Sequence, residues 1–179
     1  MARLPYVELS EPSTSPELAE IRSTILGLGR AVHNHHLVLA NQPAALRAFM
    51  HMSRYVRDET SISPRLRELA ILATAYAKNI PYEIYYHSQA ARRAGVSEQQ
   101  LAALPNWATS DAFDATERVV LSYADQVARR LDVDEATFQE LRARFSPGEI
   151  VELAMIVGWY HLVSALIGPL HIEVGEHHS

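Results

Sequence analysis

The chain has 179 residues, of which 48% are hydrophobic, a formal net charge of −5 and no cysteine. That is enough apolar material for one folded domain with a sizeable core. The mild acidity argues against a nucleic-acid partner. The lack of thiols excludes disulfides, thiolate nucleophiles, Cys-x-x-Cys redox chemistry and cysteine-ligated metals.

Residues 1–15 read as an N-terminal arm, because Pro5, Pro12 and Pro16 with Ser13 and Ser15 discourage helix. The arm has no apolar signal core, so a soluble cytoplasmic protein is expected. Ser15-Pro16-Glu17 is a cap, a first-turn proline and a first-turn acid, opening a helix striped by Leu18, Ile21, Ile25 and Leu28. A segment with His33, His35 and His36 comes next, and then a helix expected over about residues 43–57, with a polar loop at 58–62.

Ser63-Pro64 repeats the cap-and-proline signal. The helix it opens leaves few positions for water, so it is expected at the centre of the fold. Pro81 starts the next helix, which Gly95 stops. Ser97 to Gln100 form a capping box for a short helix ending before Pro105, and residues 106–113 read as a loop. Asp114, Asp134 and Ser146 cap three more helices. The last is strongly apolar, but Glu152, His161 and Ser164 suit a buried helix better than a membrane span. No strand-period segment of useful length occurs. The expected fold is all-α, about eight or nine helices in one domain over residues 16–170, with a tail at 171–179.

The chemistry concentrates on the central pair of helices. Glu83 and His87 lie four residues apart and share a helical face, with Tyr82 and Tyr86 as a second such pair beside them. Glu68 stands near the start of the preceding helix. An acid–imidazole pair with a second acid close by suits proton transfer, Glu83 holding one imidazole nitrogen and raising the basicity of the other. Glu68 lies about 18 Å along a straight helix from the turn, and His87 lies nearer to it, so contact requires the helices to cross or be offset. The enzymatic reading expects Glu68, Glu83 and His87 to face one cavity.

The run Arg67-Glu68-Leu69-Ala70-Ile71-Leu72, then Tyr82-Glu83, then His87 with Arg92-Arg93-Ala94-Gly95-Val96-Ser97-Glu98, resembles the carboxymuconolactone decarboxylase family, also called alkylhydroperoxidase D-like. Thr116 to Asp125 and Glu149 to Val163 look like its later helices. The resemblance implies a helical fold that assembles as a dimer, trimer or hexamer. Aligning the histidine of the peroxidase branch on His87 places its two cysteines at Ile80 and Glu83, its relay histidine at Tyr82 and its relay acid at Glu68. Of these only the acid is kept, so peroxidase activity is expected to be absent. The cysteine-less branch reads Tyr-Glu-Trp-x-x-His, and here Ile84 replaces the tryptophan. The resemblance implies a lyase-like acid–base enzyme with no cofactor, acting on a small lactone or carboxylate. Glu68, Glu83 and His87 would be catalytic, and Tyr82, Tyr86 or an arginine would bind an oxyanion or a carboxylate. Two alternatives stay open. One is a metal site in which Glu83 and His87 are joined by His33, His35, His36, His161 or His171. The other is a non-catalytic helical oligomer for binding or assembly.

Overall fold

A computed structural model describes residues 2–9 and 15–175. Pro12, Ser13, His177 and His178 lie outside the described residues. Among the described residues there are nine α-helices and no strand. Contacts divide the chain into two compact units, Met1–Arg54 with Leu166–Ser179, and Tyr55–Ala165.

The first unit begins with α1 (Pro16–Gly27), where the Ser15 side chain accepts from the Leu18 amide and Leu18, Ile21 and Ile25 are buried. In α2 (Asn34–Leu39) the histidine rings pack on one another, His35 against His36 at 3.9 Å between centroids. In α3 (Pro43–Arg54) Leu46, Phe49 and Met50 are buried.

The second unit starts where the sequence pattern is misleading. The helix expected to run to residue 57 ends at Arg54, and Tyr55–Glu59 form a π-helical turn instead of helix end and polar loop. Val56 is buried within it, and the Thr60 hydroxyl donates to the Val56 carbonyl at 3.1 Å. Next comes α4 (Pro64–Lys78), opened by Ser63, whose side chain accepts from the Leu66 amide. Every residue from Glu68 to Ala75 is buried, so α4 is the core helix, packed against α5 (Pro81–Arg93) and α7 (Ala115–Arg130). Asn79 turns the chain with a left-handed φ of 54°, a conformation asparagine tolerates, and Pro81 opens α5.

After α6 (Glu98–Ala103), residues Leu104–Thr109 form a 3-10 turn that takes in the first part of the loop expected over 106–113. The unit continues with α8 (Glu135–Arg144) and enters α9 (Pro147–Leu170). By length and composition α9 could cross a membrane, but Leu153, Ile156, Val157, Trp159, Tyr160 and Val163 on it are buried within the protein.

Arg65 staples α4 to its neighbours. It donates to Glu117 Oε1 and to Gln100 Oε1, each at 2.7 Å, and also bonds the Gly95 carbonyl. Glu117 is only 4% exposed and also caps its own helix by accepting from the Asp114 amide. Removing the guanidinium leaves a buried carboxylate short of its charged partner. Arg65→Met is therefore expected to lower stability by about 2 kcal/mol, read from urea midpoints. An unchanged midpoint would show that the staple contributes nothing.

Candidate active site

The site is built where α4 and α5 touch. Glu68 begins the buried run of α4, while Glu83 and His87 occupy the inner face of α5. His87 Nδ1 lies 2.6 Å from Glu68 Oε2, and His87 Nε2 lies 3.2 Å from Glu83 Oε2. Straight antiparallel pairing would leave Glu68 and His87 out of step by about 7 Å of helix rise, so the contact shows that the helices are offset. Each nitrogen of one imidazole thus faces its own carboxylate. Glu68, Glu83 and His87 are 2%, 4% and 6% exposed.

Burial alone disfavours a charged imidazole, but Glu68 and then Glu83 outweigh it, and the His87 pKa rises to about 9. Burial likewise works against the Glu68 carboxylate. The His87 charge, assisted by Arg57 and Arg67, overrides it and holds the Glu68 pKa below its ordinary value. The two carboxylates therefore favour the imidazolium form of His87 at neutral pH.

Three further residues complete the surroundings. Tyr160 of α9 meets the His87 ring edge-on, 4.8 Å between centroids. Burial raises its pKa well above the ordinary phenol value, with Arg57, Glu83, Glu68 and Arg67 as smaller influences, so the hydroxyl keeps its proton and remains a donor. Arg67 Nε stands 3.6 Å from Glu68 Oε1, and its Nη1 donates to the Arg57 carbonyl at 2.8 Å. Arg57 rides on the π-helical turn. Sequence reading noticed Arg67 and Tyr160 only as parts of a pattern and missed Arg57 entirely. A polar-headed residue within the apolar run of α9 was the signal for Tyr160. No sequence signal marks the turn that aims Arg57.

Tyr82 and Tyr86 stand with ring centroids 4.9 Å apart and tilted, and Tyr85 meets Tyr86 edge-on. His161 is held near its neutral form by burial and by Lys78, which together lower its pKa. Among the described residues, no group of three or more His, Asp or Glu side chains is arranged to hold a metal ion. A cavity of about 400 Å³ in this unit, lined by Ala73, Tyr76, Trp107 and Arg129 among others, includes none of the five candidate residues.

The carboxymuconolactone decarboxylase family model matches residues 43–126, a span that contains Glu68, Glu83 and His87. Residues 43–126 belong to that family by this match. A Bacillus subtilis (strain 168) relative, the uncharacterized protein YdfG, is 23% identical over 119 residues, covering 64% of this chain and 79% of its own. The alkylhydroperoxidase AhpD core protein of Ralstonia eutropha JMP134, an uncharacterized peroxidase-related protein, superposes with a TM-score of 0.81 at 22% identity, covering 97% of this chain and 92% of its own. The debrominase Bmp8 in complex with 2,3,4-tribromopyrrole gives 0.81 at 20% identity, covering 98% and 94%. At these identities the structural likeness is one of fold. Within the segment that matches the family, a chain without cysteine has a carboxylate, Glu83, against His87 Nε2 where the resemblance puts the second cysteine of the peroxidase branch.

Proposed function

We propose that the protein is a cofactor-independent acid–base enzyme of the carboxymuconolactone decarboxylase type, acting on a small lactone or carboxylate and lacking peroxidase activity. The observation that carries this reading is the buried imidazole held between two carboxylates, which raise its pKa. The acid form is then favoured at neutral pH, so His87 is the proton donor and not the base.

For a carboxymuconolactone-like substrate, loss of carbon dioxide leaves an electron pair that delocalises through a double bond onto the lactone carbonyl. The dienolate that forms is far more basic than an imidazole with a pKa of about 9, so protonation at carbon is downhill. The shorter contact at Nδ1 keeps Glu68 in place as the orienting acid. The longer contact at Nε2 is the one a substrate displaces, with Glu83 yielding its place, and Nε2 delivers the proton. Tyr160, holding its phenolic proton beside the ring, is placed to donate to the developing oxyanion. Tyr82 and Tyr86 are proposed to shape the substrate's surroundings from the same helix.

The near-complete burial of the three residues favours a second reading, a helical binding or assembly module in which the triad only pins α4 to α5. A screen of unsaturated γ-lactones and β-keto acids, read by carbon dioxide release and solvent-deuterium incorporation, separates the two. Turnover that disappears in His87→Gln while the oligomer persists supports the enzyme. A His87→Gln protein that unfolds or dissociates, with no turnover in the parent, supports the module. The homo-oligomer implied by the resemblance belongs to the same proposal, and sedimentation of the parent protein measures it.

A further inference from the structure

We propose that the cavity of about 400 Å³ between the C-terminal halves of α4 and α7 and the 3-10 turn Leu104–Thr109 is a second ligand site, taking an uncharged planar heterocycle whose edge carries hydrogen-bond acceptors, as a purine base does. None of Glu68, Glu83 and His87 lines it.

The cavity has a fixed frame. Its floor is buried, with Ala73 from α4 and Leu104 from the turn. Arg118 of α7 holds the far end of the turn, donating to the Ala108 carbonyl at 3.4 Å and to the Ser110 carbonyl. Within the turn the Thr109 hydroxyl donates to the Asn106 carbonyl at 3.3 Å. Sites for small molecules run from about 300 to 1,000 Å³, so the volume suits one ring system and not a polymer.

Two rings give the shape of the guest. Tyr76 and Trp107 both line the cavity and both are half-buried. Among the described residues neither ring stacks on another aromatic side chain. Aromatic faces at the edge of a void, without aromatic neighbours, favour a flat guest.

The polar groups give its edge. Among the described residues the Trp107 indole N–H, the Tyr76 hydroxyl and the Asn106 side-chain amide make no hydrogen bond. Burial raises the Tyr76 pKa, so that hydroxyl keeps its proton and can donate. Arg129 commits Nε to both oxygens of Asp125, at 3.0 and 2.9 Å, and its terminal nitrogens make no protein hydrogen bond. Donors therefore outnumber acceptors, and the guest must bring carbonyl oxygens or ring nitrogens. Asp125 and Arg129 are the only charged side chains lining the cavity, and they neutralise each other. With no surplus charge to match, the guest is uncharged.

The probe is caffeine, an uncharged planar purine whose polar edge only accepts. The control is indole, a planar bicycle with an N–H donor and no carbonyl or ring-nitrogen acceptor. Binding is read by calorimetry and by NMR, with the Trp107 indole N–H signal assigned by its loss in Trp107→Leu. The expected result is that caffeine binds, shifts that signal and leaves the His87 ring signals in place, while indole binds roughly tenfold more weakly. Trp107→Leu removes a stacking face and is expected to weaken caffeine roughly tenfold. Asn106 is exposed, so Asn106→Ala keeps the fold, and it is expected to weaken caffeine roughly fivefold. If Trp107→Leu does not fold, Asn106→Ala and the indole control decide. No caffeine binding at millimolar concentration, indole binding as tightly as caffeine, unchanged affinity in Asn106→Ala, or a shift of His87 that spares Trp107 each overturn the site. Turnover at the Glu68–His87 pair plays no part in the readout, so this site and the acid–base reading fail separately.

Discussion

Glu68→Gln is expected to lower turnover roughly a hundred- to ten-thousand-fold while leaving the helical fold intact. Glutamine keeps the shape and can still accept a hydrogen bond from His87 Nδ1, but it no longer carries charge. The Glu68 charge and hydrogen bond are the largest contributions that raise the His87 pKa to about 9 against burial. Without them burial regains weight, and the pKa falls back toward the ordinary 6.5. Less of the acid is then present at neutral pH, and the imidazole loses the partner at Nδ1 that directs Nε2. The basic limb of the rate–pH profile should move to lower pH by the same shift. A substrate-independent reading comes from NMR titration of the His87 ring, near 9 in the parent and well below that in the variant. If the parent ring titrates at its ordinary value, or Glu68→Gln keeps full turnover, His87 is not a proton donor tuned by this acid.

The parts of this site that could be read beforehand are those whose physics is local. Caps at Ser15, Ser63, Asp114 and Ser146 act on amides three residues away, so their side chains reveal them in the sequence. Glu83 and His87 share a face through helix periodicity alone. The Glu68 contact was not determined in this way, since it depends on the offset between α4 and α5. The π turn was illegible because Tyr55-Val56-Arg57-Asp58-Glu59 carries no glycine or proline, and the run is compatible with a fraying helix. Tyr160 reaches His87 from a helix distant in sequence, and its apolar neighbours give no register for the contact. These omissions share a cause. The sequence shows which residues can do chemistry along one helix, whereas the charge balance around His87 is set by three separate elements, α4, α5 and the π turn.

That charge balance also governs stability, and it gives the second large effect. The folded-state pKa of His87 is raised to about 9 from an ordinary 6.5. The folded protein therefore holds this proton more tightly than the unfolded chain does. The resulting stabilisation is fully present below pH 6.5 and is lost as pH rises through 9. Its size is on the order of 3 kcal/mol. The Glu68 carboxylate, lowered chiefly by His87 against burial, sees the same interaction from its other partner. That contribution is present above pH 4.5 and lost as pH falls through the lowered value. The two are one coupled interaction and are not added. Urea midpoints of the parent protein are thus expected to decline between pH 6.5 and 9. In His87→Gln the decline should be absent, and at pH 6 the variant should be less stable by roughly 3–5 kcal/mol, because two buried carboxylates lose their shared cation. The gap between the two proteins narrows toward high pH, where the parent has also lost its charge. Taking the difference between parent and variant cancels every other group that titrates in this range, so a gap of constant size would show that His87 carries no extra proton in the folded state.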